Sequence, residues 1–378
     1  MENLRQLHII RGFAALYVVI GHSKVVFWSG GQEYIANNPM ETWSLFDYPI
    51  FALDMLSSSA MEFVIVFFIL SGFFIGYSFD RNNWKFKDFL INRIVRIYPP
   101  YIFSSILAVI VFVFISSYNP SLFSGEWVKP IINRMTNSYN EMNIIGALKS
   151  LLYLPQKDYI AGNLSYWSLL PEWIFYIIVP FLISYKRWPF LIFTISFLIN
   201  AFIPLNFENH LLKFVFEYGF YFFLGIEIYR FITNNEWKSK MPNKFISYSI
   251  SISLLFSTIA FGILCQKGIV SFRSASVMSA SLLSVFSMLT LLTYPINGII
   301  YKIGVFLGNI SYSLYVCHLP IFYFLYAIIT KYTGTYMFYD RIYWLMIPVA
   351  VGVSYFTYLL VEQQTLVLIK KLKNNRLK

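Results

Sequence analysis

Gln6–Trp28, QLHIIRGFAALYVVIGHSKVVFW, settles what kind of protein this is. It is apolar throughout, interrupted by Arg11 and His22 and ending near Lys24, and it exceeds the roughly 20 residues a helix needs to cross a bilayer. Nine further segments read the same way: Ala60–Phe79, Pro99–Tyr118, Tyr166–Tyr185, Pro189–Pro204, His210–Ile232, Phe245–Cys265, Ser274–Tyr294, Gly304–Thr330 and Ile342–Ile369. Composition agrees with them. Of 378 residues, 58% are hydrophobic and 12% charged, whereas globular chains carry about 25% charge. Too few charges remain to cover a soluble surface. The fold class is therefore all-α integral membrane protein with about ten transmembrane helices. Residues 1–369 form one transmembrane domain and 370–378 a short basic cytoplasmic tail. No cleavable signal, internal repeat or appended soluble domain is evident.

The net charge of +11 would suggest nucleic acid in a soluble protein. Here the basic residues sit between apolar runs, so they report topology and no nucleic-acid partner is expected. With ten helices both termini share one side, and eighteen of the 29 Lys and Arg fall on that side against ten on the other, with Arg11 inside a helix. The positive-inside rule then puts both termini in the cytoplasm. The two long connections, Ser29–Ser59 and Asn119–Ser165, both lie on the opposite face as a cap. Within the second, Asn143–Pro155 (NIIGALKSLLYLP) reads as an amphipathic segment lying along the membrane surface. Cys265 and Cys317 lack metal-ligand spacing and read as core residues.

Ionisable side chains at membrane depth are costly and mark function by default. Arg11 and His22 are eleven positions apart, about 20° past three full helical turns by phase, so they share one stripe with a rise of about 16 Å between them. His22 reads as a general base or transient acyl carrier acting on a hydroxyl, or as a structural histidine near the interface. Arg11 either snorkels to the headgroups or binds a ligand. In YWSLLPEWIFY, Ser168 and Glu172 are i and i+4 on one face beside Trp167. Glu172 would orient an imidazole or grip a sugar hydroxyl, or else be a buried carboxyl held protonated.

Ser71, Gly72 and Gly76 form a small-residue stripe suited to close helix packing. Arg93 and Arg96, one turn apart in RIVRIYPP, either hold an anionic phosphate or express the positive-inside bias. His318 in GNISYSLYVCHLP is a packing residue or a second candidate catalyst. Glu362 reads as structural, paired to a neighbouring helix or the basic tail. Walker A, dinucleotide and zinc-protease motifs do not occur.

Together these residues resemble the family 3 membrane acyltransferases, ten-helix enzymes that move an acyl group from acyl-CoA to a carbohydrate hydroxyl. The pieces stand in the family's order over nearly the whole chain: LRQLHIIRGFAALYVVIGH from Leu4, FFILSGFFI from Phe67, RIVRIYPPY from Arg93, WSLLPEWIFYIIVP from Trp167, YFFLGIEIY from Tyr221, GNISYSLYVCHLP from Gly308 and YLLVEQQ from Tyr358. The chain departs at Gln6-Leu7-His8, where members often carry an acidic residue and glycine. It departs again at Glu362-Gln363-Gln364, where Glu-Arg-Pro or Glu-Lys-Pro is more usual.

The resemblance implies catalysis by His22 with Arg11, Ser168 and Glu172. It implies a donor site at Arg11, Arg93 and Arg96, and substrate contacts at Glu172, Trp167 and His318. It implies acyl-CoA, chiefly acetyl-CoA, as co-substrate, with no tightly bound cofactor and no metal. The acceptor is expected to be a carbohydrate or glycolipid and the location the plasma membrane, of bacterial inner-membrane type. A homodimer is compatible with it. Two other classes compete: a different polytopic acyltransferase type that uses His318, and a transporter or flippase of saccharides.

Overall fold

A computed structural model describes residues 3–81, 85–123, 129–140, 143–153, 162–203, 207–233, 235–269 and 273–375. All regular structure among them is helical. The helices are α1 (Leu7–Phe27), α2 (Gly31–Asn37), α3 (Asp47–Leu56), α4 (Ala60–Arg81), α5 (Phe86–Tyr118), α6 (Pro130–Asn140), α7 (Ile144–Leu151), α8 (Leu169–Leu182), α9 (Trp188–Phe202), α10 (His210–Thr233), α11 (Lys244–Gln266), α12 (Arg273–Thr293), α13 (Gly298–Thr333), α14 (Tyr343–Thr357) and α15 (Gln363–Asn375). Each of the ten expected segments is helical, the Pro204 end of the fifth lying outside the described residues. Among the described residues, eight helices are long and apolar enough to cross a membrane. The other two are α9, which is short, and α10, whose Lys213, Glu217, Glu227 and Arg230 dilute its hydropathy.

Three boundaries differ from expectation by more than a helical turn, one of them the start of α13 at Gly298 in place of Gly304. The third span begins at Phe86, so Arg93 and Arg96 lie on α5 and not in a loop, and Pro99 and Pro100 fall inside the helix. Prolines are tolerated at such positions because side chains and neighbouring helices re-satisfy the freed backbone groups. The chain also stays helical to Asn375, so Lys370, Lys371 and Lys373 belong to α15, while residues 376–378 of the expected tail lie outside the described residues.

The chain divides into two compact units. The first comprises Met1–Ala15, Met61–Arg93 and Pro171–Asn309. Its core is aromatic: Phe175 stacks on Phe222 at 4.3 Å, Phe193 on Phe223 at 5.2 Å, and Phe68 on Phe222 at 5.1 Å. Such pairs contribute about 0.5–1.5 kcal/mol each beyond burial. The expected small-residue stripe forms the contact between α4 and α10. A Cβ on Gly72 would fall 2.0 Å from the carbonyl oxygen of Phe222, and one on Gly225 would fall 2.0 Å from that of Ile69. Ser71 of the same stripe is used differently, as described below.

The second unit comprises Leu16–Ala60, Ile94–Leu170 and Ile310–Lys378. Here both long connections meet the end of α1. Lys129 donates from Nζ to the main-chain oxygens of Val26 (2.8 Å) and Trp28 (3.1 Å). Ser29 N–H donates to Phe338 O, and Asn119 Nδ2 to Ala327 O. The cap helix α3 is fastened through Asp54, which is fully buried. Its carboxylate accepts from Arg341 Nε (2.6 Å), Trp344 Nε1 (3.0 Å) and the Tyr343 hydroxyl, and its main-chain oxygen accepts from Lys24. The expected amphipathic segment is helical as α7, which exposes Ile144, Ile145, Leu148 and the following Leu152. Its Pro155 end lies outside the described residues.

Candidate functional site

His22 is half-buried on α1. The helix is held on both sides of it. Tyr17 donates its hydroxyl to Leu56 O, and Ser23 donates from Oγ to Tyr343 O at 2.9 Å. A Cβ on Gly21 would meet Ala60 Cβ at 2.7 Å, so α1 and the start of α4 lie in close contact. The ring partner of His22 is His318 of α13, with Nδ1 of the former 2.7 Å from Nε2 of the latter. The two ring planes differ by 6° and their centres are 5.0 Å apart. This is an edge-to-edge arrangement in one plane, since a nitrogen–nitrogen approach that short is incompatible with face-to-face stacking; it directs the lone pair along the bond. Nδ1 of His318 lies 3.0 Å from Leu314 O.

Sequence explains how α13 holds His318. Pro320 has no N–H, so the oxygen of Val316, four residues back, loses its helical donor. Ser104 Oγ (2.6 Å) and Asn163 Nδ2 (2.9 Å) replace it. The other end of the Asn163 amide is also used, since its Oδ1 accepts from Ser165 and caps the 3₁₀ turn Leu164–Ser168. One turn before His318, Ser313 gives both its N–H (3.2 Å) and its hydroxyl (2.6 Å) to Glu362 Oε2. Glu362 closes a π-helical turn, Tyr358–Glu362, in the last span. It therefore pairs with a neighbouring helix, as the first of its two expected roles required.

The remaining expected residues go to several places. Ser168 ends the 3₁₀ turn, and its hydroxyl lies 2.6 Å from that of Tyr315; Trp167 is half-buried in the same turn. Glu172 sits in the first turn of α8 and its Oε1 accepts from Ser71 (2.9 Å) and the Tyr176 hydroxyl. Ser168 and Glu172 have different partners. Arg93 is buried, not solvated. Its Nη2 donates to Phe74 O (3.1 Å), and its guanidinium lies 5.2 Å from the Phe89 ring and 4.9 Å from that of Tyr176. Arg96 and Arg11 are half-buried, on α5 and α1. His318 is fully buried with both ring nitrogens engaged. Its Nε2, expected to meet substrate, faces Nδ1 of His22.

Sequence reasoning missed Asn163, Ser104 and Asp54. Asn163 carried a faint signal as an Asn immediately before a helical turn. The other two are an ordinary serine and a loop aspartate until the fold gives them partners.

The family 3 acyltransferase model, described as an acyltransferase domain, matches residues 4–361. The chain belongs to this family. As a family 3 acyltransferase it is a multi-pass membrane acyltransferase. No curated protein and no solved structure matches it. The match spans α1 with Arg11 and His22, α8 with Glu172, α13 with His318, and nearly all of the π turn.

Proposed function

We propose that this family 3 acyltransferase moves an acyl group, chiefly acetyl, from acyl-CoA to a hydroxyl of a cell-surface carbohydrate or glycolipid, with His22 as the reacting imidazole. The observation that carries this is the setting of His22. It is a half-buried imidazole on a membrane helix, tied to the protein through Nδ1, and among the described residues its Nε2 takes no hydrogen bond. That nitrogen is left for a substrate. His318 is unsuited to the reacting role because both of its nitrogens are engaged.

In direct transfer, Nε2 of His22 takes the acceptor proton as the hydroxyl oxygen adds to the thioester carbonyl. The carbon–sulfur bond then breaks, and the thiolate takes the proton back, leaving an ester and free CoA. The acyl-carrier variant uses the same nitrogen as nucleophile. Arg11 would bear on the donor's reactive end, and Arg93 and Arg96 would supply positive charge for its phosphates. Glu172, Ser168 and Trp167 are the acceptor contacts in this reading. The enzyme would work in a plasma membrane of bacterial type, drawing acyl-CoA from the cytoplasm.

Surface carbohydrate from cells with and without the protein, compared by mass spectrometry before and after mild alkali, should differ by an alkali-labile acyl mass. His22→Ala should abolish that difference while the protein stays folded in the membrane. Undiminished acylation by the variant would overturn the assignment.

A further inference from the structure

We infer that His318 is a positioning residue for His22, fixing its tautomer and sharing the positive charge that turnover creates; this rests on His22 being the reacting imidazole. Leu314 fixes the first proton. A carbonyl oxygen only accepts, so the His318 nitrogen 3.0 Å from it, Nδ1, carries hydrogen. In a neutral imidazole the other nitrogen then holds a lone pair, which makes Nε2 of His318 an acceptor. The hydrogen in the 2.7 Å contact therefore belongs to Nδ1 of His22. It follows that Nε2 of His22 presents its lone pair, the form a base or nucleophile requires. A chain of three groups, from carbonyl to imidazole to imidazole, sets which nitrogen reacts.

The proton balance closes. When Nε2 of His22 takes the acceptor proton, the ring becomes cationic with its Nδ1 hydrogen pointing at a coplanar lone pair. That hydrogen is shared across the contact, so positive charge spreads onto His318, whose own Nδ1–H is already bonded to Leu314 O. Return of the first proton to the thiolate restores the neutral pair. No water competes, because His318 is 0% exposed. The role matches that of the carboxylate in a Ser-His-Asp triad. A neutral acceptor suits a membrane interior better, since burying an ionised carboxylate without a full set of partners costs far more than burying an imidazole.

The test uses the full-length protein in lipid nanodiscs, acetyl-CoA as donor, and as acceptor the surface carbohydrate extracted from cells lacking the protein. His318→Leu removes the acceptor, and kcat should fall by roughly 10²- to 10⁴-fold with the KM for acetyl-CoA little changed. His318→Gln places a carbonyl oxygen where Nε2 was, and should recover at least about tenfold over the leucine variant. Wild-type turnover in His318→Leu, a loss confined to KM, or equal losses in both folded variants would overturn the inference. Full activity in His22→Ala would instead remove the underlying reading. Should the leucine variant fail to fold, ¹⁵N-histidine spectra of the wild-type protein decide: with only four histidines in the chain, His22 must appear as the Nδ1–H tautomer, and the Nε2–H form would sink the proposal.

Discussion

Lys129 is inconspicuous in sequence, one of ten cations expected on the cap side. In the fold its Nζ closes the C-terminal end of α1 by donating to Val26 O and Trp28 O, where a cation also meets the negative end of the helix dipole. Burial pushes its ammonium down from the ordinary lysine value to about 8. The unfolded chain keeps that proton up to about 10.4. Between the two values the unfolded state binds more protons, so this residue makes stability rise with pH across the window and adds nothing to the slope below it. Thermal unfolding in detergent from pH 7.5 to 10 should show wild type gaining on Lys129→Met by on the order of 2 kcal/mol; a constant difference across that range would remove the linkage. His22 was legible for the opposite reason, since an imidazole inside an apolar run stands out at once. The pairing with His318 was not, because the two lie 296 positions apart and nothing local ties them together.

Helices were the most legible level, because a bilayer-length run of apolar residues has few alternatives. What the runs did not contain was their ends. The amphipathic residues from Phe86 onward joined the third span, and prolines expected at its start became internal. Helix contacts were half legible: the stripe at Ser71, Gly72 and Gly76 announced close packing, while Gly225 as its counterpart did not. The opposing atoms are main-chain oxygens that cannot swing aside. Gly72→Val or Gly225→Val should each cost about 1–3 kcal/mol, read as lost thermal stability and yield, and the double variant should depart from additivity since both act in one contact. Gly352→Ala, with nothing within 4 Å of its Cβ, should be neutral or slightly stabilising. Equal behaviour of Gly352→Ala and the valine variants would show that α4 and α10 do not approach this closely.

For the molecule as a whole, charge asymmetry along the chain predicts an orientation, which labelling from one side of the membrane tests. Segments assigned to one face by alternation, the two long connections and the α13–α14 link, meet within the second unit through Lys129, Asp54, Ser29 and Asn119. A membrane-impermeant maleimide applied to intact cells should label Leu45→Cys, which is 88% exposed on the cap, and should label Lys302→Cys only after permeabilisation, with Cys265 replaced by serine in both. The reverse pattern would invert the topology and remove cytoplasmic delivery of acyl-CoA to the Arg93 side.

Solvent, helical class, family and the histidine on which the chemistry is read were all present in the order of residues alone. Each follows from local apolarity, from charge counted along the chain, or from short motifs in succession. Which groups face one another emerged only with packing: His318 against His22, Ser104 and Asn163 on the carbonyl freed by Pro320, Ser71 on Glu172, and Arg93 between two rings. The physical reason is that hydrophobic transfer acts on each segment separately, whereas a hydrogen bond needs two groups at one point in space. Residues hundreds of positions apart share such a point only once the helices have packed.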